Sequence, residues 1–390
     1  MNSELKINDE EILLIELCRL KFNDEHLIRI RDFISIISDW NYFGSLVKAH
    51  GVGALVWHNL DKHHLQDGIP EEVLASLRGA LMISLSRNAF NTEIMGDVLK
   101  LLNAENIKTV LLKGLALENT VYGNSGLRQM SDVDVLIDRK DCIRARDILL
   151  SNGFDSLPVK SVLHKLIISN TGKHLPSVTK NGAYIDIHND LFGVKNNALT
   201  RMLYANSYVI ELIGEQTYIP QPQIFFLYLV RHLNSHEMNN ESQLRLYTDL
   251  VVMIEKYPDE ILNYDLIKYA SEAGMSEILA SHLGPLRDLW GISFSEWTND
   301  FINRWYNQDS LNKFLFFLSS PKDNPPSDKA MVYRHTIGEI PGVARKFIFI
   351  LGDIFPSVSF MKKRYGCNSF WKVLMYYPHR LGKIIWLLRR

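Results

Sequence analysis

The sequence is short of cysteine: Cys18, Cys142 and Cys367 are the only three in 390 residues. Such an odd, scattered set, without metal-ligand spacing, excludes a disulfide scaffold and a cysteine zinc cluster and suits a reducing cytoplasm. Long hydrophobic runs are missing too. Phe347 to Gly352 and Ile384 to Leu388 fall far below the roughly 20 residues that cross a bilayer, which predicts no transmembrane helix. The first residues, Met1-Asn-Ser-Glu-Leu-Lys-Ile-Asn-Asp-Glu-Glu, are acidic where a signal peptide carries a basic and then an apolar region, so no export is expected and the chain reads as cytoplasmic. Charge of one sign is nearly balanced, 43 Lys and Arg against 44 Asp and Glu. With a net charge of −1 no overall field recruits nucleic acid, and any polyanion contact has to be local.

What is present divides the chain by pattern. Leu13, Leu17 and Leu20, then Leu27, Ile30, Ile34 and Ile37, recur three or four apart, which predicts helices. Ser38-Asp39-Trp40 supplies an N-cap for another, Gly51-Val-Gly ends it, and Pro70-Glu-Glu-Val opens a long helix running to Leu102. After Ala104 the pattern changes to strands, Ile107 to Leu112 and Asp132 to Asp138, with a helix from Lys140 to Asn152 closed by Gly153 as a left-handed C′ residue. Asn181-Gly182 is a two-residue hairpin signal joining a strand that begins near His174 to Ala183-Tyr-Ile-Asp-Ile-His. From Gln223 the spacing is helical again, with Gly274 and Gly284 as breaks. Pro321 to Asp328 reads as a linker. The expected domains are a helical bundle (1–104), a sheet core (105–215), a helical domain (216–320), and a linker with a basic aromatic tail (321–390). The fold class is α+β, a small mixed sheet flanked by N-terminal and C-terminal helical domains.

Three carboxylates carry the chemical signal. Side chains alternate along a strand, so Asp132 and Asp134 are expected on one face, and Asp186 and His188 share a face of the later strand. Hard oxygen ligands on a rigid floor suit a two-metal phosphoryl-transfer site with ions roughly 4 Å apart. A solvated acidic strand end is the plain alternative. Lys113-Gly114 ends a strand and opens a helix, where a glycine, a lysine and a helix N-terminus attract phosphate. Arg128 and Ser131 follow in the loop before Asp132, and Arg128 is suited to clamping a phosphate.

These stretches resemble the DNA polymerase β-type nucleotidyltransferase superfamily, and more closely a bacterial family of uncharacterised nucleotidyltransferases. The residues that carry the resemblance are Leu112-Lys113-Gly114, Leu127-Arg128-Gln-Met-Ser131-Asp132-Val-Asp134-Val-Leu-Ile137 and Asp186-Ile-His188, with weaker similarity at Asp39-Trp40 and over 232–249. It implies transfer of a nucleoside monophosphate from an NTP, ATP among the candidates, to an acceptor hydroxyl or phosphate with release of pyrophosphate. Asp132, Asp134 and Asp186 would hold two Mg²⁺ or Mn²⁺ ions and carry catalysis, and Lys113, Gly114, Arg128 and Ser131 would hold the triphosphate. One departure stands out: Leu115 follows Gly114 where the superfamily usually has serine, which leaves open a non-catalytic nucleotide-binding or scaffold protein.

The remaining signals are weaker. His188, His232 and His236 are candidates for acceptor contact or for orienting a carboxylate. His232 and His236 have the spacing of a zinc pair but lack a third ligand or an intervening general base. Arg245 and Asp249 are spaced for a helix ion pair, and His174 has no assigned role. The acceptor, whether protein, small molecule, peptide or RNA end, is not encoded in any motif. From Ile354 onward there is no Asp or Glu, and eight Lys and Arg alternate with aromatics. Residues 356–390 could therefore touch RNA, lie on an anionic membrane, or pack back with their charges solvated, and Pro378 is expected to break any continuous amphipathic helix.

Overall fold

The computed structural model describes residues 7–156, 160–164, 175–192, 197–239, 241, 243–319, 330, 333–334, 337–338, 340, 342–367 and 369–389. His174 and the linker read at 321–328 lie outside these. The fold is α+β, with a seven-stranded mixed sheet between N-terminal and C-terminal helical regions. The chain forms two compact units, each built from separate stretches: 1–92, 113–131 and 220–325 in the first, and 93–112, 132–219 and 326–390 in the second.

The first unit begins with helices α1 (Asp9–Leu17), α2 (Asp24–Ile36), α3 (Trp40–His50) and α4 (Gly53–Lys62). Their ends follow local chemistry. Asn8 and Glu11 form a capping box, Asp39 accepts from the Tyr42 amide, and Gly51 closes α3 at φ +66°. Helix α5 (Glu71–Ala104) begins in this unit and continues into the second. The helices Pro222–Met238, Leu244–Lys256 and Ser276–Trp290 complete the first unit's core, with Phe43, Phe225 and Phe226 fully buried. Gly284 does not break its helix, contrary to expectation. A Cβ there would lie 2.3 Å from the Tyr306 ring, so the glycine makes room for an aromatic instead of ending a helix.

The sheet lies wholly in the second unit, apart from its last residue, Pro220. Its strands are β1 (Thr109–Leu112), β2 (Val133–Ile137), β3 (Asp155–Ser156), β4 (Val178–Lys180), β5 (Ala183–His188), β6 (Ser207–Leu212) and β7 (Glu215–Pro220), in the order β3-β4-β5-β2-β1-β7-β6. Helix α7 (Arg139–Ser151) follows β2 and stops at Asn152, with Gly153 left-handed at φ +83° as expected. Asn181 and Gly182 both have positive φ, the requirement of the expected hairpin, and Lys180 pairs with Ala183. Strands β6 and β7 were not read from the sequence. They are joined by Ile213 and Gly214, again both at positive φ.

Beyond residue 340 the second unit holds the helices Val343–Ile354, Val358–Tyr365 and Phe370–Arg389. Pro378 does not break the last of these, correcting the sequence reading. Its missing N–H orphans the carbonyl of Leu374, and both residues lie on the exposed face, where water can satisfy that carbonyl. No described helix is long and apolar enough to cross a membrane.

Candidate active site

The centre of the second unit's sheet is a parallel pair, β2 beside β5, in the register Val133↔Ile185, Asp134↔Asp186, Val135↔Ile187, Leu136↔His188. Parallel neighbours lie roughly 4.8 Å apart, so this register sets two carboxylates side by side on one face. The apolar alternates Val133, Val135, Ile185 and Ile187 are buried on the other face and fix which way the acids point. His188 lies two residues along β5 from Asp186, on the same face, and its Nε2 donates to Asp134 Oδ1 at 2.7 Å. Ligand atoms of Asp134, Asp186 and His188 all lie within 4.8 Å of one another. This is the group among the described residues that could hold a metal ion.

Ser177 is the partner the sequence reading missed, and its Oγ donates to Asp186 Oδ1. A signal for it existed. The two-residue turn at Asn181-Gly182 fixes the pairing Lys180↔Ala183, Thr179↔Tyr184, Val178↔Ile185, and one more step sets Ser177 opposite Asp186. Asp132 occupies the bend one residue before β2, half-buried, and is outside the group of three.

The other expected site residues belong to the first unit. Lys113 begins a short helix, α6 (Lys113–Leu117), and is itself left-handed at φ +46°, an uncommon conformation for a residue with a side chain. Gly114 is needed for space instead of for φ. A Cβ on it would stand 2.8 Å from Nη1 of Arg128 and 3.0 Å from Cβ of Met130. Leu115 is buried at 1% exposure. Ser131 is exposed.

Arg128 is buried, and its Nε and Nη2 bind the two oxygens of Asp249 at 3.2 and 2.9 Å. Tyr122, in the π-helix Glu118–Tyr122 that continues α6, donates to the same Asp249 at 2.9 Å. Burial, and then the Asp249 charge, push the Tyr122 hydroxyl pKa well up, so it stays a donor. Asp249 therefore pairs with Arg128 and not with Arg245, which reaches the Gln129 carbonyl at 2.6 Å and Gln243 at 2.9 Å. Buried Glu118 accepts from Gly126 N and from Asn88, which also holds the Arg128 carbonyl. These bonds set the loop between the π-helix and Ser131.

His232 and His236 meet edge to face, ring centroids 4.5 Å apart, and neither belongs to a group of three potential ligands among the described residues. Burial, and then the nearby Lys113 charge, lower the His236 pKa and favour its neutral form.

With this geometry in view, the chain can be set against known proteins. No curated protein sequence matches it. A solved structure described as an antigenic nucleotidyltransferase-like protein from Paracoccidioides brasiliensis aligns with 53% of this chain and 94% of its own, at 14% identity and a TM-score of 0.32, a level that carries no argument. The profile of a family described as uncharacterised nucleotidyltransferase matches residues 38–291, more than half of the chain and all of the site residues above. The chain belongs to that family of uncharacterised nucleotidyltransferases.

Proposed function

We propose that this protein is a metal-dependent nucleotidyltransferase of the DNA polymerase β type, moving a nucleoside monophosphate from an NTP to an acceptor hydroxyl or phosphate and releasing pyrophosphate. The observation that carries the reading is the pairing of Asp134 with Asp186 on adjacent parallel strands, with His188 against Asp134. Two carboxylates side by side fit a hard divalent cation, their oxygens suiting Mg²⁺ or Mn²⁺, with the imidazole of the same cluster holding Asp134 in place. A divalent cation held there would neutralise phosphate charge and lower the pKa of the attacking group.

The protein's own groups do the positioning. Asp134 and Asp186 would hold the cation, with Asp132 as the first acid of the motif. His188 fixes the orientation of Asp134, and Ser177 that of Asp186. Asp186 would also accept the proton of the attacking hydroxyl. Lys113 and Ser131 are assigned to the triphosphate, while Arg128, committed to Asp249, is assigned to shaping the loop that carries Ser131. The test is labelling of cell extract by purified protein with each labelled NTP and Mg²⁺ or Mn²⁺, wild type against Asp134→Ala/Asp186→Ala. Equal labelling by the two proteins would sink the proposal.

One observation favours a second reading, a protein that binds nucleotide without transferring it. Leu115 is buried where the superfamily usually offers a serine to phosphate. Calorimetric binding of an NTP with no pyrophosphate released in any extract would select that reading.

A further inference from the structure

The helix Phe370–Arg389 presents two different apolar faces. Its inner face is fixed within the second unit: Val373, Ile384 and Leu387 are buried, and Arg380 donates through Nε and Nη2 to the Asp353 carbonyl at 3.0 and 2.8 Å. The Tyr377 hydroxyl reaches the Pro356 carbonyl at 2.8 Å. These contacts set the helix's rotation about its own axis.

The outer face would ordinarily be polar. Here it carries Phe370, Trp371, Leu374, Met375, Ile385 and Trp386, each at least 40% exposed, with Trp371 at 75% and Met375 at 78%. At 100° per residue these positions fill an arc of roughly 160° that carries no charge as far as Leu388, Arg389 entering it only at the helix's last position. The arc is bordered on one side by Lys372 and Lys383, both exposed. The preceding helix, Val358–Tyr365, ends in Lys362, Lys363 and Arg364. No acidic residue occurs anywhere in 354–390.

We infer that this helix docks the protein in the plane of an anionic bilayer surface, with the Trp and Phe side chains at headgroup depth and the lysines against lipid phosphates. A wide apolar arc, aromatics among aliphatics and a cationic border are the pattern of an interfacial helix, and the helix is too polar to span. The aliphatic part of the arc separates lipid from RNA, since base stacking needs aromatic rings and gains nothing from Leu374 or Ile385. A second copy docked face to face would bring lysine borders together with no acid to match them. This inference is independent of the proposed transfer chemistry.

Co-sedimentation of the full-length protein with vesicles tests it. Vesicles containing phosphatidylglycerol should bind the protein at least about 25-fold more tightly than phosphatidylcholine alone, weakening roughly fivefold for each lysine removed in Lys372→Gln and Lys383→Gln. Trp371→Glu/Trp386→Glu should abolish retention while leaving the circular dichroism melt unchanged, and wild-type tryptophan emission should shift to the blue on anionic vesicles. The inference is overturned by equal or absent retention on both vesicles, or by retention that survives the tryptophan changes in a folded protein. It is also overturned if these residues instead bind single-stranded RNA without vesicles, or hold a dimer that the tryptophan changes disperse.

Discussion

Each compact unit contains a buried polar cluster built around aspartate, and the two are opposite in kind. In the first, Asp249 meets the donors of Arg128 and Tyr122, so an acceptor is matched by groups that can only donate to it. In the second, Asp134, Asp186 and His188 converge, and every one of them offers an atom that can ligate a cation. The first arrangement satisfies itself and its product is a fixed loop. The second assembles ligands, and its natural complement is an ion. Burial of charge by itself thus says little about function, whereas the balance of donors and ligands within the cluster says a good deal.

The sharpest way to break this contrast is to remove one member of the first cluster. Arg128→Ala leaves a buried carboxylate without its cation and is expected to destabilise the protein by about 3–5 kcal/mol, read from urea denaturation. Arg128→Ala/Asp249→Leu should recover most of that loss, because it removes both charges. Acid comes next. His50, buried in the first unit, accepts from Leu244 N and donates to the Leu318 carbonyl, and burial pushes its pKa down to about 4. Between its ordinary 6.5 and about 4 the unfolded chain binds the extra proton, so stability falls as pH falls through that window and levels off below it. A loss of ~3 kcal/mol is expected from this residue, and His50→Gln should flatten that part of the pH profile.

A smaller effect probes the turn. Gly114→Ala pushes a methyl toward Arg128 and Met130 and should cost about 1–3 kcal/mol, measured by thermal melting. The smallest change in stability belongs to the second cluster. Asp186→Asn is expected to shift unfolding by no more than about 0.5 kcal/mol, while Mn²⁺ should raise the melting temperature of the wild type and leave that of Asp186→Asn unchanged. A large loss of stability in Asp186→Asn, or an unchanged Mn²⁺ effect, would erase the distinction between the clusters.

Much of this was legible because period-two patterns are simple to read. Val133, Val135, Ile185 and Ile187 identify the buried face, and Asn181-Gly182 fixes a register from which even Ser177 follows. What was hidden depended on contacts remote in sequence. Arg128 has the look of a phosphate clamp in sequence because it stands in a loop and its partner lies 121 residues away, in the helix Leu244–Lys256. The hairpin of β6 and β7 was obscured by Ile213, a β-branched residue at a positive φ that usually calls for Gly, Asn or Asp. Gly284 and Pro378 were read by their usual roles as breakers, but one makes room for Tyr306 and the other faces solvent.

The strand order carries a consequence for how the protein is made. Strand β1 sits between β2 and β7 and pairs with β7 through Val110 and Tyr218. On a translating ribosome its second edge must wait for about 100 further residues, roughly 5–20 s at ordinary elongation rates. During that interval Thr109-Val-Leu-Leu112 is a nascent apolar edge open to pairing with other chains. Aggregation during synthesis should therefore concentrate at this strand, and slowing translation between residues 112 and 220 should lower the yield of soluble protein.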